Sequence, residues 1–546
     1  MYDVVVVGAG LGGLTAAAKL AKEGQRVCVL EQHSRPGGCA TTFRRKHFEV
    51  DVSLHILDGF DEHDPKRPIL EDLGVLQKLD IVKVGGPFLR MLRGDRAVEL
   101  PFGLDEATEA LSQQFPQERK RISRLLSSMS RIRRDLGRFP LSPAAVMRRI
   151  PAFPLLYPNF MFALPGSLGH ALDRHLRSDE LKLTVTANLP FIHDDPYTVS
   201  AKFFSVAQAA FLEAGAVYVK GGSQRLSDRL VQVIEAAGGE VRLRHRVTRL
   251  ETGCGRVLAA RFSHKKSAGR VEARRFVVNA AVPYTLDQLL GRDDDPGLRR
   301  RVAGMKVGPS LLSLYGGLSQ PLDAFGSRNY LSFDVPPSVG APRDLRRNAR
   351  GPYAERVMSI TDYGQIDSGL PPTGKGLFSA CMLERMQVWD ELDEETYRDR
   401  KEEVKGTMLE RLEKLYPGIT QSLEFTELAT PKTVRRYTNN SEGSFGGFEQ
   451  GTSQALLRRF FRVRSGLPNL SFTGAWFFPG GGYTCAMLGG YLTAMTLIEQ
   501  RRRSVLPRLS GWTGREAPVL LPSSAGTSER SRSVRTAPGP GAGSWR

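Results

Sequence analysis

Cysteines, metal-ligand patterns and long apolar runs are scarce in this chain, and each shortage excludes a class of protein. The five cysteines in 546 residues are scattered without any Cys-x-x-Cys pair, which argues against a disulfide framework and for a reducing compartment. The nine histidines show no metal-ligand spacing, so we predict no metal site. No apolar run reaches the roughly eighteen residues that a membrane-spanning helix needs. A strand predicted from Tyr2 leaves no room for a secretory signal, so we expect a cytoplasmic protein.

Acidic residues are the second shortage. The chain has 77 Lys and Arg against 58 Asp and Glu, which gives a net charge of +19. The excess is clustered, because residues 116–150 hold ten basic and two acidic side chains, and residues 501–546 hold nine arginines and two acids. Such clusters attract nucleic acid or an anionic membrane, or form a solvated surface. We recognise no nucleic-acid motif and expect no nucleic-acid partner, so the other two interpretations stay open.

An apolar stretch, PAFPLLYPNFMFALP at residues 151–165, directly follows the first basic cluster. Four prolines interrupt it, so it cannot form one spanning helix. Apolar side chains beside arginines are typical of an interfacial membrane contact. Two interpretations stay open: peripheral docking on a membrane, or the wall of a buried tunnel or core.

The strongest positive signal lies at the start of the chain. Residues 4–7 are valines, residues 8–13 read GAGLGG, and a helical stretch then leads to a second apolar strand at residues 27–30, followed by Glu31. The order strand, glycine turn, helix, strand and acid is typical of a dinucleotide-binding βαβ unit. The sequence therefore predicts a cofactor with an ADP half.

Each residue of this unit has a physical role. Gly8 permits the turn out of the strand, and Gly10 lets the backbone approach a pyrophosphate. Gly13 lets the helix pack closely on the sheet. The helix N-terminus offers N–H groups and partial positive charge to the phosphates, and Glu31 can accept hydrogen bonds from ribose hydroxyls.

Two segments that follow resemble one group of enzymes. Residues 28–39, CVLEQHSRPGGC, are similar to the second-strand segment of flavin amine oxidase-like and phytoene desaturase-like enzymes. Residues 48–55, FEVDVSLH, resemble the next strand in carotenoid desaturases, carotenoid isomerases and retinol saturases, although Ser53 stands where those enzymes usually have glycine. The Gly-Gly-Cys turn and His55 look most like the retinol saturase and isomerase branch.

The far end of the chain carries a matching resemblance. Residues 470–476, LSFTGAW, resemble the family strand LYLTGDW, and residues 479–487, PGGGYTCAM, resemble the loop PGGGxxGAM, with Cys485 in place of glycine. In the family this loop and the helix after it cover the flavin ring. A helix predicted over residues 484–498 would point its positive end at the flavin pyrimidine. Residues 277–283 also resemble a family strand near the cofactor.

This resemblance implies FAD as the cofactor, with a nicotinamide, NAD(P), as a candidate diffusible electron partner. The implied fold class is α/β, with a Rossmann-like FAD-binding domain of the glutathione reductase or amine oxidase type and an inserted α+β substrate domain. The predicted segments are an FAD domain at 1–103, a helical substrate or membrane-facing region at 104–215, the FAD domain again at 216–290, the substrate domain again at 291–435, a flavin-covering segment at 436–500 and a disordered basic tail at 501–546.

The predicted site combines the βαβ pattern with the resemblance. The cofactor-binding residues are Gly8, Gly10, Gly12, Gly13, Glu31, Gln32, Arg35, Gly37, Gly38, Val247, Gly474, Gly481, Gly482, Tyr483 and Thr484. His55 is the candidate catalytic residue, because it follows a strand that leads into the site and imidazole can shuttle a proton near neutral pH. The alternative is that His55 only packs or binds a backbone carbonyl.

The implied function is FAD-dependent oxidoreduction at carbon–carbon bonds of a lipophilic polyene or isoprenoid. Desaturation, isomerisation and retinoid-type saturation all fit hydride transfer at flavin N5. A substrate that enters from a bilayer agrees with a protein peripherally associated with a membrane. Two alternatives use the same scaffold: a flavin amine oxidase or protoporphyrinogen oxidase-like enzyme, and a non-catalytic escort protein for prenyl lipids. The escort should lack the phosphate glycines or the ribose acid, and this chain has both.

Overall fold

The computed structural model describes residues 1–509, and residues 1–499 form one compact unit. In chain order the strands are β1 (Tyr2–Val7), β2 (Val27–Leu30), β3 (Thr42–Arg45), β4 (Phe48–Asp51), β5 (Leu57–Asp58), β6 (Ile81–Lys83), β7 (Leu89–Arg93), β8 (Arg96–Leu100), β9 (Ala216–Val219), β10 (Glu240–Arg242), β11 (Arg246–Gly253), β12 (Arg256–His264), β13 (Ser267–Val278), β14 (Ser310–Leu318), β15 (Leu331–Asp334), β16 (Met358–Asp362), β17 (Gly376–Glu384), β18 (Leu423–Ala429) and β19 (Leu470–Phe472).

In chain order the helices are α1 (Leu11–Lys22), α2 (Lys66–Asp72), α3 (Leu104–Gln114), α4 (Arg119–Gly137), α5 (Pro143–Arg149), α6 (Phe153–Leu156), α7 (Pro158–Phe162), α8 (Leu168–His175), α9 (Asp179–Val185), α10 (Ala201–Ala214), α11 (Gln224–Ala236), α12 (Val282–Tyr284), α13 (Pro296–Val302), α14 (Leu345–Asn348), α15 (Gln387–Asp390), α16 (Glu394–Leu415), α17 (Pro431–Thr438), α18 (Leu457–Arg462) and α19 (Tyr483–Leu509). None of the helices in residues 1–509 combines the length and apolarity that a bilayer crossing demands.

The first sheet has a parallel core. Strands β10, β2, β1, β13 and β19 pair in parallel in that order, and β12 and β11 continue from β13 in antiparallel pairs. The four valines of β1 explain its central position, because alternate side chains enter different cores. Val4 and Val6 pack in the cluster that contains α1, whereas Val5 and Val7 pack on the other face with β13. A strand buried on both faces needs a continuous apolar run, and residues 4–7 supply it.

The second sheet is mostly antiparallel. Its order is β18, β14, β17, β16, β15, β7 and β8, and only the β15–β7 pair in it is parallel. Helix α16 packs on one face through Val404, Met408 and Leu412. The strands of the second sheet lie between those of the first along the chain. This arrangement confirms the predicted α/β class with an inserted domain.

Some predicted elements differ in detail. The apolar and polar residues of 240–250 suggest one continuous strand, but the structure has two, β10 and β11, because Arg244 between them has a left-handed φ of +60°. The predicted segment 1–103 gives strands to both sheets, since β7 and β8 lie in the second one. Helix α19 continues to Leu509, into the predicted basic tail, and residues 510–546 of that tail lie outside the described residues. The segment boundaries themselves stay predictions.

Part of the first basic cluster has a structural role. Arg133 on α4 has a side chain only 3 % exposed, which pairs with Asp61 at 2.5 Å and with Glu213 at 2.8 Å. Burial raises the pKa of Asp61 and Arg133 lowers it, with a net downward shift. Arg133 therefore fixes α4 to its neighbours and is not available to a membrane, whereas Arg131 on the same helix is exposed.

Candidate active site

The glycine turn joins β1 to α1. Gly8 has φ of +95°, in the region that favours glycine. A Cβ on Gly13 would lie 2.2 Å from the carbonyl oxygen of Gly8, so the start of α1 packs directly on the end of β1. Gly10 is the N-cap of α1, no side chain caps this end, and its first turn carries no acid. The helix therefore presents uncapped N–H groups and partial positive charge, as a phosphate site requires.

Glu31 lies beside this turn, at the end of β2. Its Oε2 accepts a hydrogen bond from the Ala9 N–H at 2.7 Å, and its Oε1 accepts one from the His33 N–H at 2.8 Å. Burial raises the pKa of the Glu31 carboxyl, while these N–H donors lower it, and the net shift is upward. A carboxylate has about four acceptor positions, so two remain for ribose hydroxyls.

The Gly37–Gly38 turn packs against the turn of Gly8 and Gly10, and we call these two turns together the glycine cradle. The Gly37 N–H donates to the carbonyl oxygen of Ala9 at 2.7 Å. A Cβ on Gly38 would lie 3.3 Å from the Cα of Gly10, and both turn glycines have positive φ. The structure thus brings the two predicted glycine turns into direct contact.

Three predicted cofactor residues direct their side chains elsewhere. The Gln32 Nε2 donates to the Tyr437 carbonyl oxygen at 3.1 Å, and the Arg35 Nη1 donates to the Thr42 carbonyl oxygen at 3.0 Å. The side chain of Val247 on β11 is buried in the apolar core, so only its main chain could meet a cofactor. Cofactor contacts of these three residues stay predictions.

The C-terminal segment reaches the same cradle through Gly474. A Cβ on Gly12 would lie 2.6 Å from the Cα of Gly474, and a Cβ on Gly474 would lie 2.1 Å from the Asn279 Oδ1. Asn279, just after β13, also has its Nδ2 2.7 Å from the Cβ position of Gly10. We did not predict Asn279 as a site residue. Its signal was a polar residue at the carboxyl end of a buried parallel strand, where ligands of such sheets bind.

The start of α19 lies opposite the Gly-Gly-Cys turn. The Tyr483 hydroxyl lies 3.1 Å from the Ser53 Oγ, which donates to the Cys39 carbonyl oxygen at 2.8 Å. The Thr484 Oγ1 donates to Asp58 Oδ1 at 3.1 Å, which fixes the first turn of the helix. The sequence-predicted residues that this segment places here are Gly481, Gly482, Tyr483 and Thr484.

His55 lies within a compact group of aromatic and polar side chains. Its Nδ1 is 3.0 Å from the Tyr363 hydroxyl, its Nε2 is 3.6 Å from the Cys381 Sγ, and its ring stacks on Phe191 with centroids 5.9 Å apart. Burial lowers the pKa of His55 and Cys381 raises it, with a net upward shift. Burial raises the pKa of Cys381 and His55 lowers it, with a net downward shift. Each group therefore stabilises the charged form of the other.

A surface of small side chains lies around Cys381 on the second sheet. Ser313 on β14 and Ser359 on β16 are register partners of Cys381 on β17, and Ser379 is the partner of Thr361. Residues directly opposite in a ladder project to the same face, so these five share the face opposite α16. All five side chains are small and buried, and Cys381 among them contacts His55.

We expect the Cys381→Ala variant to lower the pKa of His55, because the sulfur that stabilises the imidazolium is removed while burial remains. NMR titration of the His55 ring would measure the shift. The matched control is Cys254→Ala, since Cys254 is exposed and lies outside this group. An unchanged His55 titration in Cys381→Ala would show that the two side chains are not coupled.

Asp51 positions the segment that carries His55. It is fully buried, and its carboxylate accepts hydrogen bonds from the N–H groups of Leu54 at 2.9 Å and Ser223 at 2.6 Å and from the Tyr218 hydroxyl at 3.0 Å. The sequence contained Asp51 in a family-like strand, but no local pattern indicated that it joins β4 to β9 and α11. Asp51 holds this segment through hydrogen bonds to Tyr218 and Ser223, which lie more than 160 residues away in the chain.

The residues present fit a dinucleotide flavin better than a metal. Within residues 1–509 no group of three or more His, Cys, Asp or Glu side chains could hold a metal ion. The uncapped start of α1, the Glu31 carboxylate and the close glycine cradle would instead offer contacts to the phosphates, the ribose and the dinucleotide backbone. In this site the glycine turns, Asn279 and Gly474 would hold the ADP half, and the start of α19 would meet the ring.

Comparisons with known proteins show which proteins this chain resembles. The chain is 24% identical over 535 residues to a prolycopene isomerase of Daucus carota, covering 94% of this chain and 83% of that protein. It is 27% identical over 513 residues to an all-trans-retinol 13,14-reductase of Danio rerio, covering 86% and 82%. The fold resembles that of cyclohexylamine oxidase from Brevibacterium oxydans, with a TM-score of 0.60 at 16% identity over 92% of this chain and 99% of the other.

The family comparison covers nearly all of the described residues. Residues 11–498 match the family model for flavin containing amine oxidoreductases, from the start of α1 into α19. The match begins after Gly10 and includes α1, the second sheet and the C-terminal segment with Gly474. This chain belongs to the flavin containing amine oxidoreductase family.

Proposed function

We propose that this protein is an FAD-dependent oxidoreductase acting on carbon–carbon double bonds of a lipophilic polyene or isoprenoid. The observation that carries the proposal is the likeness, over most of both chains, to proteins named prolycopene isomerase and all-trans-retinol 13,14-reductase. Both names state a reaction on a polyene. Desaturation, isomerisation and saturation are the three outcomes that this assignment includes.

The chain's own residues would align the substrate and move a proton. Bound FAD would supply hydride transfer at flavin N5. His55 would hold the proton, since its Nε2 faces Cys381 and its Nδ1 faces the Tyr363 hydroxyl. Buried apolar side chains such as Phe333 would exclude water from the substrate. A diffusible nicotinamide as electron partner stays a prediction.

The test is expression in cells that make phytoene, lycopene isomers or retinol, followed by extraction and absorption spectroscopy of the pigments. A shift in the absorption bands reports conjugated double bonds gained, lost or rearranged. The purified protein should be yellow with bound FAD. A flavin-loaded protein that leaves all these pigments unchanged would contradict the polyene assignment, and a protein that refuses FAD would contradict the enzyme assignment altogether.

We further propose that the protein docks peripherally on an anionic membrane, from the cytoplasmic side, to receive its substrate. Large apolar side chains between residues 147 and 162 are exposed, with Leu155 at 84% and Phe162 at 65%. Arg148 and Arg149 are exposed in the same segment. In contrast, Phe153 in this stretch is buried, so one side of the segment belongs to the core. Exposed apolar and basic side chains together are typical of an interfacial contact.

We expect the double variant Leu155→Ser/Phe162→Ser to bind anionic vesicles at least about tenfold more weakly, because each buried apolar side chain contributes about 1.5–3 kcal/mol. Vesicle co-sedimentation measures the change. Leu258→Ser is the matched control, since Leu258 is 43% exposed on β12, outside the segment. Equal binding by the double variant and the control would refute the docking surface.

A further inference from the structure

One arginine beside the flavin-covering loop is buried without a counterion. Arg459 on α18 has no solvent exposure. Its Nη2 donates to the carbonyl oxygens of Phe448 at 2.9 Å and Glu449 at 2.7 Å. Its Nε and Nη1 have no hydrogen-bond partner among the described residues. Unpaired guanidinium nitrogens in a protein interior are costly, so this arrangement calls for a partner of opposite charge.

The neighbouring side chains do not neutralise Arg459. The Glu449 carboxylate is directed at His193, with Oε2 3.5 Å from the His193 Nε2. The amide of Gln450 is neutral, and its Oε1 also lacks a partner among residues 1–509. Burial lowers the pKa of Arg459, and Cys485 and Glu449 partly offset this effect, which leaves a net pKa of about 10. The guanidinium therefore stays charged at neutral pH.

Arg459 lies directly under the loop that leads to α19. A Cβ on Gly480 would lie 2.7 Å from the Arg459 Nη1 and 2.4 Å from the Gln450 Nε2. Gly480 is followed by Gly481 and Gly482, and then by the first turn of α19, which contains no acid. The partial positive charge of this helix end and the charge of Arg459 thus act on the same region.

We propose that Arg459 stabilises negative charge on the reduced isoalloxazine ring and so raises the reduction potential of the bound flavin. The inference rests on the proposed FAD site. The guanidinium accepts no electrons and makes no covalent bond; it acts through its charge, because its nitrogens are closed off from any ligand and charges interact strongly across a buried region. Two-electron reduction with uptake of one proton would leave the ring with one negative charge, and this is the charge that Arg459 would stabilise.

The test compares the midpoint potentials of the FAD-loaded wild-type protein and the Arg459→Gln variant by dye-coupled titration. Loss of the cation should disfavour reduction about tenfold, which is a fall of about 30 mV for a two-electron couple. Arg458→Gln is the matched control, because Arg458 is an exposed neighbour on the same helix. An unchanged potential in folded, FAD-loaded Arg459→Gln would overturn the proposal and leave Arg459 as a support for residues 448–449.

A wild-type measurement keeps the inference testable if the variant does not fold. The reduced wild-type protein should show the absorption spectrum of anionic reduced flavin below neutral pH, where free reduced flavin becomes protonated. A neutral reduced-flavin spectrum there would overturn the proposal. Failure of the wild-type protein to bind FAD would instead refute the proposed function, so the two failures are distinguishable.

Discussion

The Gly490→Ala variant is expected to lose FAD during gel filtration and to unfold at a lower temperature than the wild-type protein. Gly490 lies on α19 where this helix crosses the start of α1. A Cβ there would lie 2.2 Å from the carbonyl oxygen of Gly12, a backbone atom that cannot move without displacing the glycine turn. Inserting an extra methyl group into a packed core costs about 1–3 kcal/mol of folding free energy. Because the obstacle here is a backbone atom, we expect a cost at the upper end of that range.

A second glycine variant provides the control. Gly406 lies inside α16, and no atom comes within 4 Å of its Cβ position. Alanine is favoured over glycine in a helix interior by about 1 kcal/mol, so Gly406→Ala should retain FAD and melt no lower than the wild-type protein. Equal FAD retention by Gly490→Ala and Gly406→Ala would contradict the close crossing of α1 and α19.

The His55→Gln variant is expected to lose about 10²–10⁴-fold in turnover while FAD stays bound, because general acid–base catalysis contributes rate enhancements of this size. Glutamine can keep a hydrogen bond to the Tyr363 hydroxyl but cannot carry the proton. His55 does not belong to the glycine cradle, so occupancy should not change. Single-turnover spectroscopy of the flavin band, on whichever polyene the pigment experiment identifies, measures the effect.

Two further variants separate proton transfer from packing. Tyr363→Phe removes the hydroxyl 3.0 Å from the His55 Nδ1 but keeps the ring, so it should reduce turnover less than His55→Gln. His47→Gln is the matched control, because His47 is an exposed histidine on the β3–β4 hairpin. Wild-type turnover in His55→Gln would leave only the packing role for this residue.

Local patterns predicted the βαβ unit at the start of the chain. The glycine turn, α1, β2 and Glu31 follow one another within 31 residues, so short-range spacing was enough to predict their arrangement. The two distant segments, residues 28–39 and 470–487, could be joined only through the resemblance to a known family. The structure places Gly12 and Gly474 in contact, which the prediction required.

The side-chain partners could not be predicted in the same way. His55 and Cys381 are 326 residues apart, and no spacing rule relates a histidine after β4 to a cysteine within β17. Arg133 illustrates the same limit, since its charge suggested a surface role that its burial between Asp61 and Glu213 excludes. Burial and pairing depend on which elements pack together, and a charge pattern alone contains no such information.

The sequence alone determined the βαβ unit and indicated a cofactor with an ADP half, because glycine spacing and apolar periodicity act over a few residues of backbone. The flavin and the fold class followed from the resemblance of distant segments to a known family. Only the tertiary structure decided the anchor of Asp51, the His55–Cys381 pair and the unbalanced charge of Arg459. Each of these depends on the electrostatic environment that remote segments create when they exclude water, and that environment exists only once the chain is folded.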